Sequence, residues 1–135
     1  MKKVTILLAA ILSTFLLYSC RGNVSSVSID YGDSQIYTKQ DMDDAISLIK
    51  AKFKEFDGCV LYSLKFVGDT KCKNNIEYCN SLDENANFSE CMIFTSSFQT
   101  PKNGDGAWSG DTEYDWEWYL ARNTNGKWEL LTYGY

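Results

Sequence analysis

The strongest constraint on how this chain folds is one stretch of helical periodicity. Between Thr38 and Phe56 the apolar residues Met42, Ala45, Ile46, Ile49, Phe53 and Phe56 recur at three- and four-residue steps, which places them on one helical face. Thr38 and Asp41 have the spacing of a capping box, with Asp where Glu is usual. Asp41, Asp43 and Asp44 crowd the start of the segment, and Lys50, Lys52 and Lys54 its end. That order complements the helix dipole. Asp57-Gly58 supplies the stop, Gly58 being suited to a positive φ. A helix with a single apolar stripe must bury it against a second layer.

The second layer is legible downstream as four strands. In Cys59–Val67, Val60, Tyr62, Leu64 and Phe66 alternate with Cys59, Leu61, Ser63 and Lys65. Cys91–Phe98, Tyr114–Arg122 and Lys127–Tyr133 follow as the other three. Asn125-Gly126 is a type I′ hairpin signal. A two-residue loop there sets Arg122 opposite Glu129, Leu120 opposite Leu131, Trp118 opposite Tyr133 and Trp116 opposite Tyr135, each pair favourable by type. Lys71–Glu90 is a polar excursion, long for a compact domain, with room for a helical turn near Ile76. Val27–Tyr31 alternates weakly and adds a candidate edge strand. The expected architecture over residues 37–135 is α+β: one N-terminal amphipathic helix packed on a curved antiparallel sheet of about four strands. Which sheet face the helix covers stays open. On one choice Trp116, Trp118, Tyr133 and Tyr135 form core. On the other they form an exposed platform, with Tyr119, Trp128, Leu130 and Thr132 buried.

The beginning of the chain has a different character. Lys2 and Lys3 precede an apolar run from Val4 to Leu17, broken only by Thr5, Ser13 and Thr14. A basic start and a short apolar core describe a secretory signal segment, and the run is shorter than the roughly 20 residues that span a bilayer. Leu17-Tyr18-Ser19-Cys20 then resembles the lipobox of bacterial lipoproteins, Tyr18 being bulkier than usual. The resemblance implies cleavage after residue 19 and lipidation of Cys20, with extracytoplasmic anchoring to the bacterial membrane. A thiolate suits that alkylation, and several acyl chains hold where one does not. The competing reading is an ordinary signal peptide with a coincidental cysteine. Residues 20–36, rich in Ser, Gly, Asn and Asp, read as the lipidated cysteine and a tether.

Cysteine parity agrees with this address. There are five cysteines; assigning Cys20 to lipid leaves Cys59, Cys72, Cys79 and Cys91, enough for two disulfides in an oxidising compartment. Three connectivities are possible, among them Cys72–Cys79 with Cys59–Cys91 and Cys72–Cys91 with Cys59–Cys79. Zinc is the weaker use, because the chain has no histidine and no C-x₂-C pair.

Charge narrows the partners. The formal charge of −5 becomes −7 once Lys2 and Lys3 leave. That argues against nucleic acid, which needs a basic footprint. The lack of histidine removes Ser–His and Cys–His mechanisms, and no phosphate-cradling or dinucleotide motif is present. Neither metal nor cofactor is expected. Asp115 and Glu117 share a strand face about 7 Å apart, near the spacing of an inverting glycosidase pair, but Trp116 and Trp118 point to the opposite face and cannot stack a sugar beside them, so a solvated acidic edge is the simpler account. Asn103-Gly104-Asp105-Gly106 with Asp111 offers oxygen ligands, but the EF-hand pattern is not met and a turn suffices. Trp108 lies in a loop where no periodicity requires burial, so it is a candidate ligand contact, with Trp116 and Trp118 as further candidates; the competing and commoner fate is for Trp108 to tuck back over the sheet edge.

Two stretches carry a broader resemblance. Tyr37-Thr38-Lys39-Gln40-Asp41-Met42-Asp43-Asp44-Ala45 is the first. Trp116–Arg122 with Gly126–Leu131 is the second. Together they resemble small bacterial lipoproteins with a cystatin-like or nuclear-transport-factor-like α+β domain. The resemblance implies a fold and no reaction. The inhibitory Gln-x-Val-x-Gly loop of cystatins has no counterpart at Gln35-Ile36-Tyr37-Thr38-Lys39. The functional expectation is a membrane-anchored, non-enzymatic domain binding an envelope protein or glycan. The alternatives are a small carboxylate-dependent glycan hydrolase and a purely structural envelope protein.

Overall fold

The computed structural model describes residues 21–104 and 108–135. The elements are β1 (Ser28–Asp30), α1 (Lys39–Phe53), β2 (Val60–Phe66), α2 (Asp69–Asn74), α3 (Ile76–Ser81), β3 (Glu90–Gln99), β4 (Glu113–Arg122) and β5 (Glu129–Gly134). They form an α+β domain with one five-stranded sheet in the order β1-β2-β3-β4-β5. β1 runs parallel to β2, and the other pairs are antiparallel. The sheet is therefore mixed and has five strands, where four antiparallel ones are expected from the sequence. The fifth is the short edge strand hinted at by Val27–Tyr31.

α1 starts where the cap places it. Thr38 Oγ1 accepts the Asp41 N–H at 3.1 Å, and the Thr38 N–H donates to Asp41 Oδ2 at 3.0 Å. The shorter Asp thus closes the box in place of Glu. Met42, Ala45, Ile46, Ile49 and Phe53 are buried. Beyond Phe53 the chain turns, and Phe56 packs its ring 6.1 Å from that of Trp118. Gly58 sits at φ 74, where a Cβ would stand 2.7 Å from Pro101 Cγ. It therefore needs glycine both for its backbone and for its neighbour.

The strand faces follow register more than simple alternation. A bulge between Leu61 and Ser63 in the β2–β3 pairing resets the phase of β2. Leu61 is then buried with Leu64 and Phe66, while Tyr62 is exposed. Unbroken alternation had put Tyr62 with Leu64 and Leu61 opposite, and the bulge corrects this. Phe98, paired with Leu61, meets Phe53 of α1 at 5.4 Å between ring centroids. α1 therefore covers the face that carries Leu61, Leu64, Phe66, Phe94, Phe98 and Trp118.

The β4–β5 hairpin is corrected too. The Gly126 N–H donates to Asn123 O at 2.8 Å, and Asn125, not Gly126, takes the positive φ of 60. The loop runs on to Trp128, and a bulge between Tyr119 and Leu120 offsets half the ladder. Trp118 faces Tyr133 as expected, but Leu120 faces Leu130 and Ala121 faces Glu129. Arg122 pairs across the other neighbour, with Glu90.

The opposite sheet face is partly covered by α2 and α3, two short helices in the polar excursion, α3 lying at the turn expected near Ile76 and α2 where no helix was expected. Tyr78 of α3 meets Tyr119 of β4 edge-on at 5.2 Å. Residues 20–36, expected to be a tether, are folded from Gly22 onward. The Gly22 N–H donates to Lys54 O, Asn23 bridges to Val60, and β1 joins the sheet.

Candidate functional site

Three of the cysteines converge beneath the short helices. Cys72 from α2, Cys79 from α3 and Cys91 from β3 are fully buried, and the Sγ atoms of Cys79 and Cys91 stand 3.1 Å apart. That is contact without bonding, since a disulfide is near 2.05 Å. Burial pushes the Cys72 thiol up to about 11, and its Cys79 neighbour and burial raise Cys91 as well. Contact with Cys91 pulls the Cys79 thiol the other way, below its ordinary value.

Cys59 is elsewhere. It precedes Val60, which pairs with Gln99 at the far end of β3. From Gln99 to Cys91 the strand runs about 26 Å, whereas disulfide-bonded Cα atoms lie within about 7 Å. Cys59 therefore does not reach Cys79 or Cys91 in this fold, and both pairings named from the sequence require it to. The cause is topological, because β2 and β3 are antiparallel and these cysteines mark opposite ends of the ladder.

The carboxylate pair is also resolved by its neighbours. Asp115 and Glu117 pair with Ser97 and Thr95 across β3. The Lys71 ammonium from α2 donates to Glu117 Oε1, and the Tyr119 hydroxyl donates to Glu117 Oε2 at 2.6 Å. Those two partners, Lys71 foremost, hold the Glu117 carboxyl below its ordinary range. A carboxylate held ionised by both oxygens is the reverse of a general acid, which needs a raised pKa. Asp115 is exposed on the same face.

The aromatic candidates pack together. Trp118 has no exposed surface and donates from Nε1 to Ser96 Oγ at 2.8 Å. A ligand cannot reach it, which corrects its candidacy as a contact. Trp116 is half-buried and stacks on Tyr133 at 5.8 Å. Trp108 folds back over the sheet end, 5.7 Å from Phe56 and 5.4 Å from Trp116, leaving only part of its ring in solvent. In the calcium-like loop, Asp111 Oδ1 accepts from Gln99 Nε2 at 3.1 Å, while Asp105 and Gly106 lie outside the described residues. Among the described residues, no three metal-binding side chains gather.

Sequence reasoning missed a charged node. Arg122 donates to Asp41 Oδ1 at 2.9 Å and Glu90 Oε2 at 2.5 Å, and its guanidinium lies 4.3 Å over the Trp128 ring. It ties the start of α1 to β3 and β4. Beside it a cleft of about 340 Å³ opens between Asp44, Leu48, Lys127 and Trp128. Only the long-range pairing of Glu90 with Arg122 creates this node, so no local motif announces it.

Comparison with protein-family models, curated proteins and solved structures yields no match.

Proposed function

We propose that this chain is a lipoprotein anchored through Cys20 on the extracytoplasmic side of a bacterial membrane, and that its domain is a non-enzymatic binding module for an envelope protein or glycan. The observation that carries the reading is the sequence pattern of Lys2 and Lys3, the apolar run to Leu17, and Leu17-Tyr18-Ser19-Cys20. Gly22 is already locked in place, two residues after Cys20. Cleavage after residue 19 therefore leaves every described element whole. Among the described residues no helix is long and apolar enough to cross a membrane. The engagement of Glu117 by Lys71 and Tyr119 supports binding over hydrolysis.

The same compartment gives the cysteine cluster a role. Cys79 and Cys91 form one disulfide, each thiol giving up one proton and one electron to the disulfide of an exported thiol oxidoreductase, which leaves as its dithiol. Oxidation precedes closure of α2 and α3 over the pair, because in the folded domain both thiols are fully buried and out of an oxidoreductase's reach.

Metabolic labelling with a palmitate analogue tests the anchor. Label is expected on the wild-type chain and absent from Cys20→Ser. Label that persists in Cys20→Ser overturns the assignment. Asp115→Asn and Glu117→Gln are expected to leave envelope binding intact.

A further inference from the structure

We propose that the end of the domain bearing Trp108, Tyr114 and Tyr135 rests directly on phospholipid headgroups, so that the protein is held in one orientation instead of swinging on a tether. This rests on lipidation of Cys20.

The argument begins with strand direction. β2 starts, β3 ends, β4 starts and β5 ends at the same end of the sheet, through the pairs Val60↔Gln99, Gln99↔Glu113 and Glu117↔Gly134. The last turn of α1 is there too. Gly22 is wedged into this end: its N–H donates to Lys54 O at 3.1 Å, and a Cβ on it would stand 2.1 Å from Phe53 O. Asn23 follows, donating to Cys59 O at 2.8 Å. The leash from Cys20 to Gly22 is therefore two residues, at most about 7 Å. A headgroup layer is roughly 5–8 Å thick, from the difference between whole-bilayer and hydrocarbon thickness. Even with the cysteine side chain and its thioether link added, so short a leash holds this end within a few ångströms of the headgroup layer.

The chemistry of this end fits such a contact. Tyr135 is 89 % exposed. Its ring lies 6.0 Å from that of Tyr114, which in turn lies 5.8 Å from Trp108. Tryptophan and tyrosine are the residues favoured at headgroup depth. Among the described residues here, Arg21, Lys52, Lys54 and Lys102 nearly offset Glu55, Asp57, Asp111, Glu113 and Asp115.

The test uses the full lipidated chain in phosphatidylcholine vesicles, with or without bromine on the acyl chains, reading tryptophan emission after subtracting the wild-type signal. Tyr135→Trp places a probe at the leash end. Thr124→Trp places one in the exposed β4–β5 turn, about 30 Å away along β4. Bromolipid is expected to quench the Tyr135→Trp signal roughly twofold or more and to leave Thr124→Trp unchanged. Equal quenching of the two probes, or none at Tyr135→Trp, overturns the orientation. Mass spectrometry of the same samples separates the two claims. Lipid present without quenching refutes the docking alone. Lipid absent from Cys20 refutes the anchor and the docking with it.

Discussion

Reducing the proposed Cys79–Cys91 bond should destabilise the domain by about 3 kcal/mol. The magnitude follows from the chain segment the bond closes. The two residues are 12 apart in sequence, and the chain-entropy relation for a loop of that size gives about 10 cal/mol/K removed from the unfolded ensemble. At room temperature that is about 3 kcal/mol, and for a domain of this size it corresponds to roughly 10–15 °C in Tm. The contact already present in the fold means that closing the bond requires little movement of α3 against β3. Thermal unfolding followed by circular dichroism, with and without a phosphine reductant, measures the difference. A Cys79→Ala, Cys91→Ala chain should show the lower Tm under both conditions. Peptide mapping of the oxidised protein should find Cys79 linked to Cys91. A bridge from Cys59 to any of the other three, or a Tm indifferent to reductant in a protein shown to be oxidised, would refute the reasoning.

Other outcomes follow from the charged node and the leash. Arg122→Met should cost about 2 kcal/mol in urea unfolding, because it leaves Asp41 and Glu90 half-buried without their cation; a full buried-pair loss would be larger. Burial raises the Asp41 carboxyl, but the Thr38 N–H and Arg122 guanidinium outweigh it and hold the group below its ordinary range. Its contribution is therefore complete above the unfolded value and is lost as pH falls through the folded one. The stability gap between wild type and Asp41→Asn should thus narrow below about pH 4; a gap that widens there would reverse the sign. Gly22→Ala should lower Tm by several degrees, since its methyl meets backbone and not a yielding side chain, at about 1–3 kcal/mol. An unchanged Tm would show that the start of the chain is not wedged as described. Thr38→Ala should cost about 1 kcal/mol, and a loss within error in chemical denaturation would remove the cap from the account.

Local chemistry determined much of this protein by itself. The cap at Thr38, the apolar stripe of α1, and β3 and β4 to within a residue or two at their ends depend on neighbours a few positions apart, so they are written in spacing alone. The exclusion of histidine chemistry needed only composition. What only tertiary structure decided are the relations between residues far apart in sequence. The bulge that buries Leu61 in place of Tyr62 is set by the partner strand. Arg122 could find Glu129 or Glu90, and the hairpin loop together with the approach of Asp41 chose Glu90. Four cysteines looked equivalent in sequence until antiparallel pairing put Cys59 at one end of the sheet and three thiols at the other. Residues 20–36 read as a tether because their composition is polar. Yet Gly22 lacks the side chain that would keep it out of the turn after Phe53, and Asn23 finds backbone partners on β2. Composition describes what a segment tends to do alone, whereas the open sheet edge and the end of α1 supplied the hydrogen bonds that held it.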